Sequence, residues 1–453
     1  VRTFNVVVAG FVLLGFPISP LLAANEPEHG EGTLFKSLFG DSLEKNYGIT
    51  VSSLIDMGYS RNNTSTHEER ESGFSNLPVL WYSDEGFELA TSHLFIDKKL
   101  KSTMIPRITP LPGPKPEEFS FGFSAELVYG RNPQFGRTFG WDMNWGPNAA
   151  NDKDLDKTRR DKKNYLAMTN MFGQVYVPYG PGFNVIAGVF GTAIGYEIPP
   201  NVRASRNQFA TKTYAFASDP GTFTGVMAGT RVMNNDNGIL GVELGVVRGW
   251  NNMQDNNDDQ SITGALRWRS SDMKAWVDYE FVAGNEQNKS FARGQFPSAR
   301  IVSPDGQLKQ QHSLNGWYAF DDKWSMGAEL TYGRQSGDGK NTTVDIVTGP
   351  GFDGAKWYGA NAVISYQYQP DLSFSVRAER FSDPDAFILF PASAAKGTYK
   401  ALTAGLRWDL NKYISIRPEI RSDWFDGNDD QRPFGNGRET KQVTSTVEAL
   451  FYF

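Results

Sequence analysis

The stretch Ile414-Ser415-Ile416-Arg417-Pro418-Glu419-Ile420-Arg421-Ser422-Asp423-Trp424 sorts its residues by parity. Even positions hold Ile414, Ile416, Pro418, Ile420 and Trp424, with Ser422 the one polar member; odd positions hold Ser415, Arg417, Glu419, Arg421 and Asp423. Successive side chains on a strand point to opposite faces, so this strand must lie between an apolar phase and a wet one. The segment before it repeats the pattern, with Leu402, Ala404, Leu406 and Trp408 set against Thr403, Gly405, Arg407 and Asp409. Only Leu410-Asn411 separates the two, a hairpin-length turn. The last stretch, Val443-Thr444-Ser445-Thr446-Val447-Glu448-Ala449-Leu450-Phe451-Tyr452-Phe453, alternates again and closes on an aromatic. That ending is expected to be read by barrel-assembly machinery at Phe453.

Carried back along the chain, the same reading predicts strands at 47–60, 86–99, 118–130, 166–178, 182–191, 223–234, 239–250, 260–270, 273–284, 310–320, 323–335, 355–369, 371–382, 397–409, 412–425 and 439–453. Alternate connections are tight, among them Gly180-Pro181, Ser271-Asp272, Asp321-Asp322 and Gln369-Pro370, and the others are longer. The predicted fold class is all-β: a transmembrane antiparallel up-and-down β-barrel of about 16 strands over 47–453, with both termini on the periplasmic side. Two places fit less well. Alternation is poor in 86–99, and the proline-rich stretch 106–116 is long for a periplasmic turn. A soluble sandwich also uses amphipathic strands, but rarely so many in one unbroken series.

Composition agrees. The 453 residues show no linker or compositional break, and at 39% hydrophobic content and a mean hydropathy of −0.44 no segment beyond the first 24 residues reads as a membrane helix. A barrel is then the remaining way to cross a bilayer. The aromatic content of 13% suits interfacial girdles, the absence of cysteine excludes disulfides and thiolate metal sites, and the dispersed net charge of −6 argues against a nucleic-acid partner. Residues 1–24 read as a signal peptide: Arg2, an apolar run over 4–16, and Leu22-Ala23-Ala24 as the cleavage site. The mature chain is expected to begin near Asn25 in the bacterial outer membrane. Residues 25–46 then form a short periplasmic segment with Leu34, Phe35, Leu38 and Phe39, too short for a plug domain.

Inward faces are expected to carry Arg231, Arg267, Arg269, Arg377, Arg407, Arg417 and Arg421, opposed by acids that include Glu379 and Glu419. Charge of both signs is tolerable in a water-filled lumen, where opposing rows filter solutes by charge and brace the wall. The arginines of the last strands lean the expected selectivity towards anions or carboxylate-bearing solutes. The long connection 192–222 holds Glu197, Arg203, Arg206 and Lys212 with Tyr196, Phe209, Tyr214 and Phe216, and is expected to fold inward as a constriction. The acidic stretches 152–161 and 255–259 lack the spaced ligands of a calcium loop, so neither a metal nor a cofactor is expected. His29, His67, His93 and His312 sit in no nucleophile motif, so no catalytic site is expected.

Several segments carry a family resemblance: Leu38-Phe39-Gly40-Asp41-Ser42-Leu43, Gly195-Tyr196-Glu197 with 220–225, Gly245-Val246-Val247-Arg248-Gly249-Trp250-Asn251, Phe381-Ser382-Asp383-Pro384-Asp385 and Arg417-Pro418-Glu419-Ile420-Arg421. With them the chain resembles the outer-membrane β-barrel porins of the OmpL-like type. The resemblance implies a water-filled channel for small hydrophilic solutes, embedded among outer-membrane lipid and lipopolysaccharide and assembled as a homotrimer. A channel for hydrophobic solutes, or an adhesin anchored by its barrel, is the alternative.

Overall fold

The computed structural model describes residues 33–65, 75–146, 164–197, 207–254, 258–285, 306–339, 353–389 and 393–453, apart from positions 77, 106, 108, 144, 193, 338, 429 and 436. The expected signal peptide and its cleavage site lie outside these residues. Two short helices, α1 (Thr33–Phe39) and α2 (Ser42–Tyr47), precede the first strand and are joined by a Lys36–Glu44 ion pair at 2.6 Å. Gly48 ends α2 in a left-handed conformation that a residue with a side chain would resist.

Sixteen antiparallel strands then close on themselves. In chain order they are β1 (Ile49–Asn62), β2 (Gly86–Lys98), β5 (Ser120–Gly130), β6 (Tyr165–Val177), β7 (Phe183–Gly191), β8 (Thr222–Asn235), β9 (Gly238–Val247), β10 (Ser261–Arg269), β11 (Ala275–Asn285), β12 (Leu308–Ala319), β13 (Trp324–Ser336), β14 (Gly354–Gln369), β15 (Leu372–Asp383), β16 (Gly397–Asn411), β17 (Ile414–Gly427) and β18 (Lys441–Tyr452). Each overlaps one strand read from the sequence. Closure is made by β1 against β18, with Tyr59 opposite Val447 and Asp56 opposite Leu450. The remaining pair, β3 (Met104–Ile105) and β4 (Thr109–Pro110), is a separate two-stranded ribbon in the β2–β5 connection.

The weak alternation of β2 has a local cause. Asp56 pairs with Thr91 but Met57 with Leu89, so Ala90 is an extra residue, and Ala90 and Thr91 are consecutively buried. A bulge of this kind shifts the side-chain phase by one place, which blurs a period-2 pattern without ending the strand.

The two faces of the wall have opposite chemistry. Outward residues at mid-wall are aliphatic and exposed, such as Leu244, Leu266, Leu330, Ile364, Leu402 and Ile420. Exposed aromatics bracket them: Tyr59, Phe87, Tyr129 and Tyr358 towards the long loops, and Phe121, Tyr179, Tyr318, Trp324 and Trp408 towards the short turns. This is an apolar band between aromatic girdles, the surface of a membrane-spanning barrel. Inward positions are polar and charged, and on β17 Ser415, Arg417, Glu419, Arg421 and Asp423 are all buried. The main apolar cluster lies at the long-loop end, where loop residues Trp81, Phe135, Phe216 and Phe387 pack with the strand residues Trp357, Tyr399 and Phe425.

Candidate functional site

Inward burial of so many charges is sustained by pairing, and the pairs fall into groups along the wall. On β9–β11, Arg267 meets three carboxylates: Glu243 at 3.0 Å, Asp278 at 2.9 Å and Glu280 at 2.6 Å. Arg269 also pairs with Asp278 and donates its Nε–H to Thr109 of β4 at 3.0 Å. On β15–β18, Arg421 sits between Asp423 at 2.8 Å and Glu379 at 2.9 Å, Arg407 pairs with Asp409 at 3.0 Å, and Arg417 pairs with Glu448. Sequence reading placed these arginines on inward faces, and the structure gives each a carboxylate neighbour. Arg231 differs. It sits near the short-turn end and donates to the carbonyls of Leu111 and Gly113.

The connection after β7 runs inward along this wall. Its Gly195 N–H donates to Glu280 at 2.9 Å, and Tyr196 stacks on Trp276 of β11 and lies against Gly327 of β13, where a Cβ would collide with its ring. Glu197 is buried and pairs with Arg377 at 2.7 Å. Further on, the N–H groups of Ala210 and Thr211 donate to Glu419, that of Thr213 to Glu197 at 2.6 Å, and that of Tyr214 to Glu379 at 2.8 Å. The loop returns the exchange: the carbonyls of Thr211 and Lys212 accept from Arg377 and Arg421, and that of Asn207 from Arg417. A short helix, α3 (Tyr214–Ser218), capped by the Thr213 side chain, ends at Asp219, which accepts from Gln311 of β12 at 2.7 Å. Wall charges thus bind loop backbone as well as each other. Arg203 and Arg206 lie outside the described residues.

Lys212 is the one base of the 192–222 loop among the described residues. Its ammonium lies 5.5 Å from the Trp81 ring centroid and makes no ion pair among the described residues. Burial, which removes hydration from the charged form, pulls it down to about 8. Asp219 moves the other way: burial, reinforced by Glu329, pushes its carboxyl up.

A second inward segment was not legible as such. The β2–β5 connection turns into the lumen and lays the β3–β4 ribbon against β6–β10. Met104 is fully buried against Gly229 and Gly241, and a Cβ at Gly241 would come within 2.9 Å of it. The Arg107 N–H donates to Glu243, its guanidinium donates to the Gly191 carbonyl, and it lies over the rings of Phe172 and Phe190. Tyr176 and Lys115 hold the ribbon's outgoing arm, donating to the carbonyls of Pro116 and Pro178. The only sequence signal was excess length between two strands.

A closed barrel with an apolar belt, a charged lumen and segments folded into it defines a channel of the outer membrane. The chain belongs to the family described as "Putative beta-barrel porin-2, OmpL-like", whose model matches residues 48–453. No curated protein matches it. Among solved structures it is similar to the outer membrane channel DcaP of Acinetobacter baumannii, at 9% identity and a TM-score of 0.50, covering 89% of this chain and 97% of that one. It is also similar to an anion-selective porin from Comamonas acidovorans (10% identity, TM-score 0.49, 89% and 99% covered) and to OprB of Pseudomonas putida (10%, 0.49, 94% and 99%). Family and fold make the protein an outer-membrane porin of a bacterium, a channel rather than an enzyme. By the general rule for such barrels, its short turns face the periplasm and its long loops the exterior.

Proposed function

We propose that small hydrophilic solutes cross this barrel past a constriction formed by the 192–222 loop, with a bias towards anions set by that loop's bases. The carrying observation is the seat of the loop, whose backbone is bonded to Glu280, Glu379 and Glu419 across the wall. The wall arginines Arg267, Arg269, Arg377, Arg407, Arg417 and Arg421 are matched by carboxylates, so they contribute little net field to a passing ion. Lys212, unmatched among the described residues, is the base on which the bias rests, together with Arg203 and Arg206. Outer-membrane lipid, lipopolysaccharide, recognition of Phe453 by the assembly machinery and a homotrimeric state complete the proposal.

Planar-bilayer recording tests it. Shortening the loop over 197–218 is expected to raise single-channel conductance, because the narrowest section dominates the resistance. An unchanged conductance in a shortened barrel that still shifts its gel mobility on heating would place the constriction elsewhere.

Lys212 supplies a pH signature. Its folded pKa lies below the ordinary lysine value, so the group is cationic at neutral pH and loses its proton as pH rises through about 8. The reversal potential in a salt gradient is expected to move towards cation preference across that window. Lys212→Met should show the shifted value already at neutral pH and lose the step. A step that persists in the variant assigns the titration to another group.

A further inference from the structure

The two inward segments meet at one place. The ribbon's Arg107 N–H is bonded to Glu243, the outer loop's Gly195 N–H is bonded to Glu280, and Arg267 joins those two carboxylates at 3.0 and 2.6 Å. Glu243 and Glu280 both stand near the middle of their strands, β9 and β11. The ribbon, entering from the short-turn end, therefore reaches the same height as the loop entering from the other end. Their territories are complementary. The ribbon lies on β6–β10 through Tyr176, Asn184, Gly241 and Arg269, and the loop lies on β11–β17 through Trp276, Gln311, Glu379 and Glu419.

We propose that the constriction is composite: the periplasmic ribbon 101–117 forms its second side, with Arg107 at the ribbon tip as a selectivity-determining base on the solute path. Arg107 is half-buried, with its Nε enclosed and its guanidinium packed over Phe172 and Phe190, and it keeps an exposed part that the fully enclosed wall arginines Arg269 and Arg421 lack. Its left-handed backbone, at φ 67°, marks the tight reversal that delivers the side chain to the waist of the barrel. The ribbon is a fixed element, because its strands, its tip and its outgoing arm are each bonded to the wall. The inference rests on the porin reading and deepens it, by naming a second element of the same pore.

Two measurements decide it. In the first, 101–117 is replaced by a short glycine-serine link between β2 and β5, and single-channel conductance is compared with that of the parent in planar bilayers. A step up is expected, with β11–β17 and the outer loop left in place. The second keeps the ribbon intact. Because the chain has no cysteine, Arg107→Cys provides a unique thiol. A bulky neutral thiol reagent is expected to react there and lower the current, and the unreacted variant is expected to be less anion-selective than the parent.

A folded link variant with parental conductance overturns the proposal. So does an Arg107→Cys channel whose thiol fails to react, or reacts without changing the current. If the link variant does not form a barrel, the thiol measurement decides alone. A parent that conducts no ions would instead refute the porin reading, so the two failures are distinguishable.

Discussion

Arg267→Met is expected to lower the stability of the folded barrel by about 3–5 kcal/mol, the range for removing one partner of a buried ion pair. The substitution is close in volume, so packing loss is minor. What remains is a set of three carboxylates, Glu243, Asp278 and Glu280, each almost fully enclosed. Asp278 keeps Arg269 as a counter-ion, while Glu243 and Glu280 lose their guanidinium partner. Urea unfolding in detergent, followed by the heat-dependent mobility shift, should show a lower midpoint. Adding Glu243→Gln and Glu280→Gln should recover much of the loss, since neutral amides carry no unpaired charge. A midpoint indistinguishable from the parent would mean that water reaches the cluster and solvates it. Because Glu243 and Glu280 also hold the ribbon and the outer loop, the folded fraction of Arg267→Met should conduct with more variable current levels.

The second large effect lies on the opposite face. Ile420→Arg is expected to cost about 2–4 kcal/mol, the penalty for a cation on the lipid side at the bilayer midplane. Ile420 stands at the centre of β17 and is 53% exposed, and its cross-strand neighbours are the small residues Ala404 and Ser445. An arginine there meets no steric obstacle, so the cost isolates the membrane term. Ile414→Arg, at the turn end of the same strand, should cost about 0–1 kcal/mol, because the penalty fades towards the interface. Refolding into lipid vesicles with urea titration measures both. Equal costs at the two positions would show that Ile420 does not face the hydrocarbon.

The strands were legible because a barrel wall between lipid and water imposes a strict period of two on every residue. Arg417, Glu419 and Arg421 could be assigned to the inner face from parity alone, and Ser271-Asp272 marked a reversal of the chain, whereas Leu410 and Asn411, read as a turn, are the last residues of β16 and the chain reverses at Lys412-Tyr413. Even the weak reading of β2 follows that rule, since the bulge at Ala90 moves the phase by one position. Alternation says nothing about partners. That Arg267 bridges Glu243 and Glu280, or that Arg377 meets Glu197, depends on strand register around the barrel and on how the loops return.

The inward segments were the least legible part, for a specific reason. The outer loop is seated largely by its own N–H and C=O groups on Glu379, Glu419, Arg377 and Arg421. Backbone groups are the same in every sequence, so such a seat leaves no motif. The ribbon hides in the same way: Met104 fits because Gly229 and Gly241 leave room far away in the chain, and Arg107 is placed by Glu243. Sequence by itself determined the two-faced wall, the strand series and the location in a bilayer, because these depend on each residue's preference for lipid or water. Only the tertiary structure decided which charges pair and what enters the lumen, because those depend on distances between residues that the chain order does not encode.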